Sequence, residues 1–132
     1  MKDFKIVWSA RSECGPNRKK NEDTIFPPIS GSSKPLFKAA VCDGLGGHVN
    51  GDVASKIAAD TLLKEITDLN QIITEANKNI LEYQEKDPSS LGMGTTMTAI
   101  SINKDALMKI GHVGDSRCCL LYTSDAADDR IG

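Results

Sequence analysis

The chain has 132 residues, of which 39% are hydrophobic and 26% are charged, a composition typical of a globular domain with one core. A formal net charge of −2, and no basic run longer than Arg18-Lys19-Lys20, argue against nucleic-acid binding. No stretch has the pattern of a signal peptide or a membrane span, so we expect a cytoplasmic protein without a membrane partner.

The first 43 residues carry three short apolar segments that predict strands, namely residues 4–10, 24–26 and 37–42. The second segment follows the acidic pair Glu22-Asp23, and the third ends directly before Asp43. Residues 29–35, which contain three serines, Gly31 and Pro35, predict a loop or hairpin connection. Two predicted strand ends therefore carry carboxylates.

A glycine-rich loop, Gly44-Leu45-Gly46-Gly47-His48, follows Asp43 and leads into a helical pattern. Glycine accepts positive φ and has no side chain, so we expect this backbone to approach a ligand closely, and a carboxylate beside it suits a cation. The alternatives are a nucleotide phosphate at the helix N-terminus and a tight turn without a ligand. The spacing matches neither G-x-G-x-x-G nor a P-loop, which makes dinucleotide binding the weakest hypothesis.

Apolar residues at helical spacing predict two helices after the glycine loop. The first covers about residues 51–66, with Asn50 or Asp52 as its N-cap. The second begins after Asp68, another capping residue, and ends before Asp87-Pro88. We interpret the apolar stripes of both helices as core.

Two segments rich in β-branched or apolar residues, 95–102 and 106–113, predict a hairpin. Asp115 follows it and is a further acid at a predicted strand end. His112 lies inside the second segment, and we interpret it as a packed or hydrogen-bonded side chain rather than a metal ligand. His48, in the glycine loop, has the stronger claim to a functional role.

The acidic strand ends predict a site for hard cations. The four cysteines form no C-x-x-C pair, so a zinc site is not indicated, and Cys42 is interpreted as a core residue. Glu22-Asp23, Asp43 and Asp115 offer oxygen donors, which select ions such as Mg²⁺ or Mn²⁺. Two such ions can activate a water and clamp a phosphoryl oxygen, while Arg18 holds other phosphate oxygens. The residues favour metal-assisted phosphoester hydrolysis.

Four motifs in chain order resemble those of the PP2C-type (metal-dependent, PPM) serine/threonine phosphatases, and most of all the bacterial branch of that family. They are Gly15-x-x-Arg18-x-x-Asn21-Glu22-Asp23, Val41-x-Asp43-Gly44-x-Gly46-Gly47-His48, Gly92-Met93-Gly94-Thr95-Thr96 and Val113-Gly114-Asp115-Ser116-Arg117. Each motif alone is modest in specificity, but their order and spacing together make a chance match improbable.

The resemblance implies a role for five residues. Arg18 matches the arginine that binds the substrate phosphate, Glu22 a ligand of one metal, and Asp43 the carboxylate that bridges two metals. Gly44 matches the residue whose carbonyl contacts a metal, and Asp115 an acid that holds a weaker third metal. The implied cofactors are two Mn²⁺ or Mg²⁺ ions, with a third at Asp115. The implied fold is an α+β sandwich of two antiparallel sheets flanked by helices.

Three features depart from the family pattern. Leu45 stands where some members carry a histidine proposed as general acid, so the general acid is unassigned. The chain has about half the length of the family domain, so residues 1–119 are assigned to its N-terminal part and further metal-binding aspartates are missing. Residues 120–132 match no motif, and we interpret them as an atypical, foreign tail that adds little to the fold.

The resemblance implies hydrolysis of phosphoserine and phosphothreonine in phosphoproteins, with a cognate Ser/Thr kinase and its substrates as partners. The alternative is a non-catalytic phosphoprotein-binding or regulatory module of the same fold, which keeps Arg18 but holds metal poorly. We expect the parent protein to be the enzyme and the present chain to be inactive alone, because few of the expected ligands are present.

Overall fold

The structure, a computed structural model, describes residues 3–45 and 49–121. Its strands are β1 (Ile6–Trp8), β2 (Asp23–Phe26), β3 (Gly31–Ser33), β4 (Phe37–Asp43), β5 (Met97–Ile102) and β6 (Met108–Val113). Its α-helices are α1 (Gly51–Asp60) and α2 (Leu69–Lys86), each followed by one short 3₁₀ turn, Thr61–Leu63 and Pro88–Ser90. The predicted tail and the loop residues Gly46, Gly47 and His48 lie mostly or wholly outside the described residues.

The strands form two antiparallel sheets, as predicted from the family resemblance. One sheet has four strands in the order β2-β4-β5-β6, and the other pairs β1 with β3. The predicted hairpin is confirmed, since β5 and β6 pair from Met97↔Val113 to Ile102↔Met108. The segment that contains β3 was predicted as a loop or hairpin connection, without a strand of its own. In the structure Gly31–Ser33 pairs with β1, where the Trp8 ring covers Gly31 and the Trp8 Nε1 donates to Ile29 O at 2.9 Å.

The core lies between one face of the four-stranded sheet and the two α-helices. Ala40, Cys42, Met97 and Ala99 point from β4 and β5 into this layer, where they meet a set of buried helix-side residues, Ala58, Ala59, Leu62, Leu69, Ile72 and Ala76. Cys42 is fully buried, as predicted, and burial raises the pKa of its thiol to about 12. The side chains on the sheet are small or slender, so helix α1 can lie close to it.

The first helix is shorter than predicted, and its predicted caps do not act as caps. It ends at Asp60 instead of residue 66, and Lys64 is already extended at φ −76° and ψ 157°. The Lys38 ammonium, on β4, donates to the carbonyls of Lys64 at 2.7 Å and Ile66 at 2.9 Å, which holds this segment out of a helix. Asn50 precedes the helix in the left-handed region, and its side chain donates to Ser90 Oγ instead of capping α1.

The second helix begins as predicted, because the Asp68 carboxylate accepts a hydrogen bond from the Asn70 N–H at 2.9 Å. It ends at Lys86, directly before Asp87-Pro88. The first predicted strand, residues 4–10, is confirmed only over Ile6–Trp8. Within the part of the chain that the structure describes, neither helix has the length and apolar composition that crossing a bilayer requires.

Candidate metal centre

The sheet register brings the acidic residues to one edge. Asp23, at the start of β2, lies directly opposite Asp43, at the end of β4. The Thr96 N–H, at the approach to β5, donates to Asp43 O at 2.9 Å. Gly114, just after β6, lies against the Thr96 side chain. Because the strands are antiparallel, two strand beginnings and two strand ends thus form one row at this edge.

A cleft of about 590 Å³ opens at this edge and is lined by all five predicted site residues. These are Arg18, Glu22, Asp43, Gly44 and Asp115. Its other lining residues are mostly polar and include Glu13, Lys20, Asn21, Asp23 and Thr96. The structure therefore places residues from four separate motifs around one space.

Glu22 is the most firmly anchored of the predicted ligands. Its carbonyl accepts hydrogen bonds from the Gly44 N–H at 3.1 Å and from Ser55 Oγ at 2.6 Å. Its side chain is only 16% exposed and lies beside Gly51, the first residue of α1, where the helix dipole favours negative charge. Anchoring of the Glu22 backbone by two elements fixes where its carboxylate enters the cleft.

Arg18 keeps its guanidinium available at the rim of the cleft. Its side chain is 64% exposed, and its Nη1 lies 3.9 Å from Glu22 Oε1, too far for a good hydrogen bond. A turn closed by the Arg18 N–H and Gly15 O at 3.1 Å sets its direction. This loosely held cation can still take a phosphate with two parallel hydrogen bonds.

Gly44 is required by backbone packing. A Cβ at this position would overlap the carbonyl of Gly51 and lie 2.6 Å from the carbonyl of Glu22. The predicted close approach of the glycine loop to a ligand stays a prediction, whereas the structure shows close approach of Gly44 to two other segments of the chain. The glycine thereby joins the strand tip, the Glu22 segment and the start of α1.

The Asp23–Asp43 pair has the electrostatics of a cation site. Burial, then the hydrogen bond and the charge of Asp43, raise the pKa of Asp23 to about 6. A bound divalent cation relieves this repulsion, and carboxylates and carbonyls are the donors that Mg²⁺ and Mn²⁺ prefer. The donor set therefore fits the implied ions. Within residues 3–45 and 49–121, no three His, Cys, Asp or Glu side chains converge into a preassembled metal site.

Two residues of this site were missed by the sequence analysis as individual contributors. Asp23 was noted only as part of an acidic pair, and Thr96 only as part of a motif. Both lie in the row that contains Asp43, and strand alternation combined with a known register would have found them. His112 was interpreted correctly, since its Nδ1 lies 2.8 Å from the hydroxyl of Thr98 and not in the cleft.

Comparisons with known proteins show which family this chain resembles. The family model "Protein phosphatase 2C" matches residues 9–129. The serine/threonine phosphatase stp of Listeria welshimeri is 37% identical in an alignment 127 positions long that covers 86% of this chain and 49% of that protein. The serine/threonine protein phosphatase PstP of Mycobacterium tuberculosis is 34% identical in an alignment 125 positions long that covers 88% of this chain and 23% of that protein.

Solved structures show the same similarity. The crystal structure of M. tuberculosis PstP/Ppp matches with a TM-score of 0.63 and 29% identity over 87% of this chain and 48% of that one. The catalytic domain of PstP in complex with two manganese ions matches with a TM-score of 0.61 and 29% identity, over 87% of this chain and 49% of that one. The chain thus spans about half the length, or less, of the relatives it matches. With a family match over most of its length, the chain belongs to the Protein phosphatase 2C family.

Proposed function

We propose that this chain forms the Arg18–Asp43–Glu22 side of the active site of a Mn²⁺- or Mg²⁺-dependent phosphoserine/phosphothreonine phosphatase. The observation that carries the proposal is the cleft that Glu22, Asp23, Asp43 and Asp115 line together with an exposed arginine. Two similar proteins are serine/threonine phosphatases by name, and one similar catalytic domain holds two manganese ions.

In this proposal each residue has a separate task. Asp43 would be shared by the two ions, Glu22 and the Gly44 carbonyl would each bind one, and Asp115 would hold a weaker third ion. When bound, the ions supply a water activated for attack on phosphorus and neutralise charge on the phosphoryl oxygens. Arg18 orients the phosphate through its planar guanidinium. No described residue is assigned as the general acid, because Leu45 occupies the relevant position.

The proposed substrates are phosphorylated proteins, and the proposed partners are a cognate Ser/Thr kinase and its substrates. The cleft supports a phosphate ester as ligand, since its cations are Arg18 and Lys20 at the rim. Lys20 Nζ lies 3.3 Å from Asp52 Oδ1, a buried oxygen that accepts no hydrogen bond from the residues that the structure describes. Lys20 is therefore held near Asp52, which leaves Arg18 as the better phosphate ligand.

A non-catalytic phosphoprotein-binding module is the second candidate, and one observation favours it. No three potential ligand side chains converge in the described part of the chain, so a bound ion would rely on water for most of its positions. For the same reason we propose that the 132-residue chain alone has no measurable phosphatase activity. Calorimetric Mn²⁺ titration of this chain separates weak metal binding from none.

The decisive test uses a fusion protein in which residues 1–119 of this chain replace the matching half of the L. welshimeri phosphatase. We expect manganese-dependent hydrolysis of a phosphothreonine peptide by the fusion protein and none by the present chain. Asp43→Asn should reduce turnover at least about 100-fold, because even indirect partners of a metal cost 10- to 100-fold.

Asp60→Asn is the matched control, since it makes the same chemical change at the far end of α1, where Asp60 pairs with Lys56 at 2.8 Å. It should leave turnover within about twofold of the unsubstituted fusion protein. Full activity of the Asp43→Asn variant, with circular dichroism showing that it is folded, would refute the proposed role of Asp43.

A further inference from the structure

Thr96 makes two hydrogen bonds to one metal-ligand residue. Its N–H donates to Asp43 O at 2.9 Å, and its hydroxyl accepts from the Asp43 N–H at 3.1 Å. In a regular antiparallel pair the second bond would go to the Thr96 carbonyl, but the Thr95 hydroxyl donates to that carbonyl at 2.8 Å. The Thr96 hydroxyl therefore accepts a hydrogen bond that a backbone carbonyl accepts in a regular antiparallel pair.

The same hydroxyl reaches the other side of the cleft. Thr96 Oγ1 lies 2.9 Å from Ser116 Oγ, and Ser116 directly follows Asp115. Gly114 makes room for this contact, because a Cβ at its position would lie 2.5 Å from Thr96 Cγ2. Gly114 also has φ +106°, a conformation that other residues rarely adopt, and it turns the chain from β6 toward Ser116. One hydroxyl thus bonds both to the Asp43 strand end and to the Asp115 loop.

We propose that Thr96 is a positioning residue that sets the separation of Asp43 and Asp115 across the cleft. The expected effect of Thr96 on metal binding rests on the proposed metal-dependent function, whereas its hydrogen bonds to Asp43 and Ser116 do not. Thr96 is 6% exposed, so water does not replace these bonds easily when the hydroxyl is removed. Partners of this kind orient metal ligands, and their removal costs about 10- to 100-fold in metal affinity.

The chain contains a matched control two residues away. Thr98 is also 6% exposed and points to the same face of the sheet, but its hydroxyl bonds to His112, away from the cleft. Thr96→Val and Thr98→Val each replace a buried hydroxyl by a methyl group of the same shape. Thr96→Ser keeps the hydroxyl and serves as the rescue variant.

The first measurement is amide hydrogen exchange by NMR on the full 132-residue chain without metal. Thr96→Val should speed exchange of the Asp43 amide roughly three- to tenfold, as expected for one lost hydrogen bond, and should shift the amide resonances of Asp115 and Ser116, because the contact with Ser116 Oγ is lost. Thr96→Ser should restore both regions, and Thr98→Val should leave both unchanged. Equal exchange of the Asp43 amide in Thr96→Val and Thr98→Val would overturn the proposal.

The second measurement is the Mn²⁺ affinity of the same chains. Binding is measured by the loss of the free-ion signal in electron paramagnetic resonance. Thr96→Val should weaken binding about tenfold, with rescue by Thr96→Ser and no change in Thr98→Val. Unchanged affinity in Thr96→Val would overturn the functional consequence. If the unsubstituted chain binds no Mn²⁺, the same variants are compared in the fusion protein, and absence of Mn²⁺ binding there as well would refute the proposed metal centre. The exchange result decides independently whether Thr96 positions the two loops.

Discussion

Gly51 lies where the Glu22 carboxylate meets the first turn of α1. A Cβ at this position would overlap Glu22 Oε2 and lie 3.0 Å from Leu45 O. Glycine is therefore tolerated in a helix here because a carboxylate needs the space, although alanine is the better helix former by about 1 kcal/mol. The lack of a side chain at Gly51 therefore lets the Glu22 carboxylate lie against the first turn of α1.

Gly51→Ala should weaken Mn²⁺ binding by the fusion protein without unfolding it. The added methyl group would push the flexible end of the Glu22 side chain away, while the gain in helix propensity offsets the strain against Leu45 O. We expect about a tenfold loss of Mn²⁺ affinity by calorimetry, and a free energy of unfolding within about 1 kcal/mol of the original.

Lys56→Ala changes an exposed residue of the same helix and serves as the control for this experiment. It should leave Mn²⁺ affinity unaltered. If Gly51→Ala binds Mn²⁺ as tightly as Lys56→Ala, then Glu22 is not the ligand that its position indicates.

The motifs located five site residues because their chemistry is visible in residue type and order. Arg18, Glu22, Asp43, Gly44 and Asp115 line one cleft, as the resemblance implied. The separate contributions of Asp23 and Thr96 could not be predicted, because they depend on which residues lie opposite each other on neighbouring strands. That register is set by pairings between segments more than 50 positions apart in the chain, such as Val41 with Thr98.

At the scale of elements, the boundaries that depend on distant partners were the ones predicted wrongly. The second helix carries its own cap in Asp68, so its start was predictable from local sequence. The end of α1 depends instead on the Lys38 ammonium, which lies 26 residues from Lys64 in sequence. Apolar spacing continues to Ile66, so periodicity alone extended the helix too far.

The turn after α2 links that helix to the start of α1 through Asp87. The Asp87 carboxylate accepts from the Ser89 N–H at 3.2 Å and from Ser90 Oγ at 3.0 Å. Ser90 Oγ in turn accepts from Asn50 at 2.9 Å, at the start of α1. Hydrogen bonds from Ser89, and then from Ser90, hold the pKa of Asp87 below its ordinary value of 3.8.

This lowered pKa predicts a pH-dependent contribution of Asp87 to stability. The ionised carboxylate stabilises the folded chain above the unfolded pKa, and the contribution is lost as pH falls through the lower folded pKa. Asp87→Asn should therefore be less stable than the original chain at about pH 6, and the gap should narrow toward about pH 3. Urea unfolding at both pH values measures the gap, and a gap of equal size at both would contradict the prediction.

At the scale of the whole molecule, the two faces of the four-stranded sheet differ. The helices cover one face, while apolar side chains on the other remain accessible, with Val41 46% and Ile110 53% exposed. The two-stranded sheet covers part of this second face through Trp8 and Phe37. An accessible apolar sheet face favours self-association.

Ile110→Lys should reduce self-association of the 132-residue chain without lowering its thermal stability. Ile110 lies on the edge strand β6, where a charged residue also discourages pairing of strands between chains. Leu81→Lys is the control, because Leu81 is 51% exposed but lies on α2. Sedimentation velocity should show fewer oligomers for Ile110→Lys alone, and equal distributions for both variants would exclude the sheet face as the cause.

The fold class was predictable because the family resemblance supplied what local patterns do not. Periodicity identified two helices and most strands, whereas the division into two antiparallel sheets followed from the motifs. The β3 strand escaped prediction because its residues, Gly31-Ser32-Ser33, have low strand propensity and are held in place by Trp8.

Trp8, through its contact with Phe37, is an intrinsic fluorescence probe of the junction between the two sheets. The sequence contains one tryptophan, and its ring lies 4.7 Å from that of Phe37, at the junction of the two sheets. The tryptophan fluorescence of the chain therefore comes from a single position, half-buried where the smaller sheet meets the larger one. Separation of the two sheets transfers this indole to water and shifts its emission to the red, so the docking of the sheets can be followed separately from the melting of the helices by circular dichroism.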